Sequence, residues 1–195
     1  MLKKYLFIKF YNLNIIAVIF IIHYILIDNF FKEPDIVRQL ALSKEYIKSS
    51  KKTGWKGYRS NIDDIELVNY IKNKLIEIDD KFKNLIINES YFHYSLESTK
   101  DELNGNFEKN RLHKDETEFA GVIYLTPNPH KNSGTTIYND NTNSEDIVDN
   151  IYNRFVFYDG KKLHGPQNTF GNSIENARIT LTIFANISKS KKTII

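Results

Sequence analysis

Two segments with helical periodicity lie in the first half of this chain, and from about residue 85 onward the apolar pattern is that of strands. Residues 35–48 form the first helical segment, and the second starts near Asp63, which would form a capping box with Glu66. The strand-like segments are 90–96, 113–115 leading into 119–125, 135–138, 154–158 and 178–187. Because parallel strands need crossovers that are usually helical, this order predicts an α+β fold with an antiparallel sandwich or barrel, covered on one face by both helices. The polar stretch 139–150 is predicted to be a solvated loop.

Composition limits the chemistry that the chain can perform. With 195 residues the chain is long enough for one domain with a substantial core. It contains no cysteine, which excludes disulfides, thiolate zinc sites and thiol nucleophiles. A metal would therefore be bound by imidazole and oxygen, which suits Fe, Mn or Zn. The net charge is only +3, with lysines scattered among acids, so no nucleic-acid partner is indicated.

The N-terminal segment allows two interpretations. Lys3 and Lys4 precede an apolar run at 15–22, as in a signal peptide or membrane anchor. No small-residue cleavage site follows, and the run is shorter than the roughly 20 residues of a spanning helix. We expect an apolar leader at 1–23 that adds a strand, one domain at 24–188 and a loose tail at 189–195. This favours a cytoplasmic location; membrane anchoring through 1–22, or secretion, is the alternative.

A histidine and a carboxylate are the first candidate metal ligands. His113 and Asp115 are two residues apart in an extended segment, so their side chains point to the same face. His164 in the sequence Leu-His-Gly-Pro is a candidate third ligand, although it could also be a turn histidine bonded to backbone. Two histidines and one carboxylate with open positions opposite are the ligand set of non-haem Fe(II) oxygenases.

These motifs, in this order, resemble the Fe(II)/2-oxoglutarate-dependent dioxygenase superfamily, in particular its prolyl-4-hydroxylase-like branch. Residues 119–127 are similar to the family strand that ends in Tyr-Leu-Asn, 133–136 to its Gly-Gly-Thr turn, and 153–160 to the strand that delivers the distal histidine. The likeness covers about residues 24–187. It implies a double-stranded β-helix, which is a cupin-like jelly roll, with N-terminal helices packed on one sheet.

The same resemblance assigns the ligands. It implies Fe(II) bound by His113, Asp115 and His164, with dioxygen and the cosubstrate 2-oxoglutarate in the open positions. Arg178 would bind the distal carboxylate of 2-oxoglutarate, because a guanidinium matches a carboxylate with two hydrogen bonds. Thr180, on the same strand face, could add a hydroxyl. The alternative for Arg178 is a surface ion pair.

Four further residues are candidates that also have a structural interpretation. Tyr124 matches the family tyrosine whose hydroxyl reaches the cosubstrate, although an aromatic that ends an apolar strand is usually a core residue. His93, Arg59 and Trp55 could face the substrate; the alternatives are a hydrogen-bonded strand histidine for His93 and a core or rim role for Trp55.

The expected activity is hydroxylation of a C–H bond in a protein or peptide side chain, prolyl by analogy, or in a small molecule. Two other functions stay open. One is a metal-binding jelly-roll module without turnover, and the other is a membrane-tethered member whose role depends on its N-terminal segment.

Overall fold

The computed structural model describes residues 24–50, 55–99, 111–139 and 144–188. The predicted leader at 1–23 and tail at 189–195 lie outside these ranges, so the domain division stays a prediction. Within the described ranges, no helix is both long enough and apolar enough to cross a membrane.

The helical segments precede most of the strands, as the sequence pattern predicts. The helices are α1 (Pro34–Ser43) and α2 (Ile65–Ile78), with short 3-10 helices at Asp80–Asn84 and Ile174–Asn176. The first five strands are β1 (Tyr24–Ile27), β2 (Ile47–Lys48), β3 (Tyr58–Asn61), β4 (Leu85–Ser95) and β5 (Phe119–Tyr124). The remaining five are β6 (Thr135–Asn139), β7 (Ser144–Val148), β8 (Phe155–Asp159), β9 (His164–Pro166) and β10 (Arg178–Ile187).

The described strands form two antiparallel sheets. The larger has seven strands in the order β1-β8-β5-β10-β4-β3-β2, and the smaller has three in the order β7-β6-β9. Ile137 and Val148 of the small sheet pack on Val122, Tyr124 and Val156 of the large one. This is the predicted jelly-roll arrangement, with two open sheets rather than a closed barrel.

Strand β10 separates an apolar face of the large sheet from a polar one. Ile179, Leu181 and Ile183 are fully buried in the core that the sheet shares with both helices. Ile71 and Leu75 of α2 lie in the same core, where each fully buried side chain contributes roughly 1.5–3 kcal/mol. Arg178, Thr180 and Thr182 point the other way and line a cavity between the sheets.

Several boundaries differ from the sequence-based expectation, and one of them is the start of β4, which lies at Leu85 rather than at residue 90. Helix α1 ends at Ser43 because residues 47–48 pair with β3 as a short strand. The N-cap of α2 is Asp64, whose carboxylate accepts from the Leu67 amide, and not Asp63. The stretch predicted to be a solvated loop contains β7, whose polar sequence reflects an exposed edge strand with only Val148 buried.

Candidate metal centre

Backbone hydrogen bonds place His113 and Asp115 beside β9. The amides of His113 and His164 each donate to the other's carbonyl at 2.8 Å, an isolated antiparallel bridge. The amide of Asp115 donates to the carbonyl of Gly160, also at 2.8 Å. The segment 113–115 is therefore held by single bridges and is not the regular strand that its sequence predicts.

The three predicted metal ligands meet in space. One ligand atom from each of His113, Asp115 and His164 lies within 4.8 Å of the others. Asp115 Oδ1 is 3.5 Å from Nε2 of His113, and Oδ2 is 3.1 Å from Nε2 of His164. The two imidazole rings are 4.6 Å apart and tilted by 54°. His164 is buried and the Asp115 side chain is 11% exposed, whereas the His113 side chain is 53% exposed, so the cluster opens toward solvent on one side.

The chemistry of these atoms fits a bound cation. Nδ1 of His164 lies 2.8 Å from the Lys162 carbonyl, which can only accept, so Nδ1 carries a proton and Nε2 is the ring nitrogen that can bind a metal. Nε2 faces Asp115 Oδ2, a buried atom that has no hydrogen-bond partner among the described residues. At 3.1 Å these two atoms need a shared proton or a metal between them, because two bare lone pairs at that distance would repel each other. A backbone carbonyl that orients the far nitrogen is also the usual outer contact of a metal-bound histidine.

The cluster lies on a cavity of about 550 Å³ that also contains Arg178. Arg178 is 5% exposed, and it donates from Nε to the Ser133 carbonyl at 2.8 Å and from Nη2 to the Gly134 carbonyl at 3.3 Å. Burial lowers the pKa of Arg178, which the neighbouring Tyr124 partly offsets. No carboxylate forms an ion pair with Arg178 among the described residues. A buried cation without an anion is costly, so this end of the cavity suits an organic acid.

The other two cosubstrate candidates differ in position. Thr180 is buried and lines the cavity, with Oγ1 3.3 Å from the hydroxyl of Thr182. Tyr124 is fully buried behind the lining, where its hydroxyl is 2.7 Å from Oγ1 of Thr135. Thr135 itself lines the cavity, so Tyr124 is connected to the cavity only through the Thr135 hydroxyl.

The three substrate-side candidates all line the same cavity. His93 donates from Nε2 to the Lys56 carbonyl at 2.6 Å, and burial, followed by the charge of Arg59, lowers its pKa to about 3. The guanidinium of Arg59 lies over the ring of Trp55 at 4.8 Å.

Sequence reasoning missed several cavity residues. Tyr158 packs edge-on against His164 at 4.7 Å, and burial raises its pKa well above the ordinary value. Thr169 is buried and lines the cavity, and its hydroxyl has no hydrogen-bond partner in the described part of the chain. Tyr158 ends the strand-like run before His164, which could have indicated it, whereas nothing in the sequence around Thr169 marks that residue.

The fold is that of the 2-oxoglutarate- and Fe(II)-dependent oxygenases. A prolyl-4-hydroxylase from Pseudomonas putida has a TM-score of 0.55 and 15% identity, over 86% of this chain and 94% of that one. A prolyl hydroxylase from Trichoplax adhaerens was solved with a hypoxia inducible factor oxygen degradation domain peptide fragment. It has a TM-score of 0.54 and 13% identity, over 84% of this chain and 83% of that one. HygX from Streptomyces hygroscopicus, solved with nickel, 2-oxoglutarate and hygromycin B, has a TM-score of 0.58 and 9% identity, over 85% of this chain and 83% of that one. No protein-family profile and no curated protein matches the sequence.

Proposed function

We propose that the protein is an Fe(II)- and 2-oxoglutarate-dependent dioxygenase that hydroxylates a C–H bond of a peptide side chain or small molecule. The observation that carries the proposal is the close approach of His164 Nε2 and Asp115 Oδ2, 3.1 Å apart, with His113 beside them, at a cavity that also holds Arg178. The balanced reaction converts R–H, dioxygen and 2-oxoglutarate into R–OH, succinate and CO2. Dioxygen takes up four electrons, two from the C–H bond and two from the oxidative decarboxylation.

Each part of the cavity has a separate task in this proposal. His113, Asp115 and His164 hold Fe(II), which when bound supplies the dioxygen chemistry. Arg178 binds the distal carboxylate of 2-oxoglutarate, and Thr180 adds a hydroxyl beside it. The carbonyls of Ser133 and Gly134 fix the plane of the Arg178 guanidinium, so little side-chain entropy is lost when the acid binds.

Tyr124 has an indirect role in this assignment. Its hydroxyl is bonded to Thr135, so it positions the Thr135 hydroxyl rather than contacting the cosubstrate. His93 is a neutral, hydrogen-bonded side chain on the cavity wall. A cytoplasmic location belongs to the proposal and stays a prediction, as does any role of residues 1–22 at a membrane.

The test begins with metal-free protein under anaerobic conditions. Addition of Fe(II) and 2-oxoglutarate should produce the visible charge-transfer band of an iron-bound 2-oxo acid. Admission of air should then yield succinate, measured in a coupled assay.

Variants distinguish the parts of the site. His113→Ala should abolish both signals, because it removes a metal ligand. Arg178→Met should retain Fe(II) binding and weaken 2-oxoglutarate binding about 100-fold, since each hydrogen bond to a charged group contributes roughly 1.5–3 kcal/mol. A wild-type band without succinate, across candidate peptides and small molecules, would instead support the module without turnover. Absence of the band in the wild type would refute the proposal.

A further inference from the structure

Arg59 lies in a three-sided aromatic cage on the cavity wall. The carbon at the centre of its guanidinium is 4.8 Å from the ring of Trp55, 5.0 Å from that of Tyr91 and 5.8 Å from that of Phe184. Aromatic faces hold a guanidinium flat without using its N–H donors. The cage therefore positions the cation and leaves its hydrogen-bonding edge for another group.

Arg59 differs in its bonding from the other four arginines of the chain. Each of the four donates side-chain hydrogen bonds to oxygen atoms of the protein; they are Arg38, Arg111, Arg154 and Arg178. Nε of Arg59 is buried and has no hydrogen-bond partner among the described residues. Burial lowers the pKa of Arg59, and Tyr91, Asp115 and Glu89 partly offset this effect, although no carboxylate in the described part of the chain forms an ion pair with Arg59. A half-buried guanidinium in this state is stabilised when an anion binds to it.

The position of Arg59 separates it from the cosubstrate site. Arg59 pairs with His93 across the strands, and His93 pairs with Thr180, so the three side chains share one face of the sheet. Arg59 on β3 is two strands away from Arg178 on β10, about 10 Å between strand axes. Arg59 and Arg178 are therefore cations at two different places of the cavity, and one 2-oxoglutarate uses only the site at Arg178.

The charge around Arg59 limits the anion that it can bind. Glu89 and Asp115 line the same cavity and would repel a dianionic phosphate more strongly than a singly charged carboxylate. The planar fork of a guanidinium also matches a carboxylate with two parallel hydrogen bonds.

We propose that Arg59, held by Trp55, Tyr91 and Phe184, binds a carboxylate of the primary substrate. The substrate is then an acid: either a free small molecule with a carboxylate or a peptide with an acidic side chain. This inference rests on the proposed function, because it assigns the substrate class of that site.

The chain contains a single tryptophan, so Trp55 fluorescence reports on this cage directly. The full chain is loaded with Fe(II) and saturating 2-oxoglutarate without oxygen, which fills the Arg178 site. Acetate is then titrated at fixed ionic strength, with acetamide as the neutral probe of the same shape. Acetate should change the Trp55 emission saturably, and acetamide should not.

The variants test the assignment to Arg59. Arg59→Met should reduce the acetate response at least about tenfold, whereas Arg59→Lys, which keeps the charge but loses the fork, should reduce it less. Lys74→Met is the matched control: Lys74 also lies over an aromatic ring, 5.8 Å from Tyr70, but on α2 away from the cavity. The Lys74→Met variant should show the same acetate response of the Trp55 emission as the wild type.

In two final titrations of the Trp55 emission, free amino acids and capped acidic peptides replace acetate. The class of compound that binds at least about tenfold tighter than acetate identifies the source of the substrate. The proposal is overturned if wild-type Trp55 does not respond to acetate, if Arg59→Met responds equally, or if neither class of compound binds tighter than acetate. Loss of the charge-transfer band in Arg59→Met would also overturn it, by placing Arg59 in the cosubstrate site. Failure of the proposed function is a separate result, because the band is then missing in the wild type while the Trp55 titration can still be read.

Discussion

His113 and His164 lie directly opposite each other and exchange two backbone hydrogen bonds of 2.8 Å. In such a pair the Cα atoms are about 5.5 Å apart and both side chains project to the same face. The separation of the two imidazoles is therefore set by a backbone bridge, although the residues are far apart in the sequence. Asp115 completes the cluster because its own amide is bonded to Gly160, close to the start of β9.

Removal of the Asp115 carboxylate should abolish tight metal binding. Asp115→Ala is expected to weaken Mn(II) or Fe(II) binding by at least about 100-fold, because it removes one of the three proposed ligands and the neighbour of both histidines. Isothermal titration calorimetry on metal-free protein measures the change. His130→Ala is the matched control, since His130 stacks on Phe170 at 4.5 Å and does not line the cavity. Equal metal affinity in the two variants would contradict the assignment.

Gly165 is the position where a methyl group should disturb the metal centre through the backbone. A Cβ there would collide with the carbonyl of Arg111 and crowd the Cα of Leu112. Gly165→Ala is therefore expected to separate the His113 segment from β9, costing about 1–3 kcal/mol of unfolding free energy and lowering metal affinity. Urea denaturation and metal titration measure the two effects. Unchanged metal affinity would show that the bridge does not set the ligand geometry.

Substitutions at Tyr124 and Thr135 should show which of the two side chains contacts the cosubstrate directly. Tyr124→Phe loses the 2.7 Å hydrogen bond to Thr135 and the weaker 3.5 Å contact with the Val148 carbonyl, which is expected to cost about 1 kcal/mol of stability. Thr135→Val removes the hydroxyl that lines the cavity, so it should weaken 2-oxoglutarate binding more than Tyr124→Phe does. Titration of the charge-transfer band measures both affinities. A larger effect of Tyr124→Phe would instead indicate direct contact of the tyrosine.

His93 should make stability depend on pH. The folded state lowers its pKa from 6.5 to about 3, so between these values the unfolded chain binds the proton more readily. The contribution of His93 to the free energy of unfolding is complete above pH 6.5 and is lost as the pH falls toward 3. At pH 5 the loss is about 1–2 kcal/mol relative to neutral pH.

Comparison with His93→Gln isolates this effect, because other titrating groups cancel in the difference. Urea denaturation at pH 7 and at pH 5 should show a smaller decrease in unfolding free energy for His93→Gln than for the wild type. His130→Gln should retain the wild-type decrease. Equal decreases in His93→Gln and the wild type would mean that His93 is not held neutral in the folded state.

Much of the fold could be predicted from local sequence. Strand β10 has the predicted bounds because its alternation of Arg, Thr and apolar residues persists for ten residues. The two helices and the jelly-roll class follow from periodicity and from the resemblance. Strand β7 was missed because an exposed edge strand needs no apolar alternation, and β2 was read as helix because two residues carry no period of their own.

The sequence by itself determined which residue types are available to bind a metal and an acid. It lacks cysteine, it places His113 and Asp115 two residues apart, and it begins β10 with Arg178. Only the tertiary structure decided how these residues meet. The bridge between His113 and His164 and the shielding of Tyr124 behind Thr135 depend on pairings between distant segments. The aromatic cage around Arg59 joins residues from one loop and three strands in the same way. Local periodicity records which face a side chain occupies, whereas its partner is set by how the sheets pack.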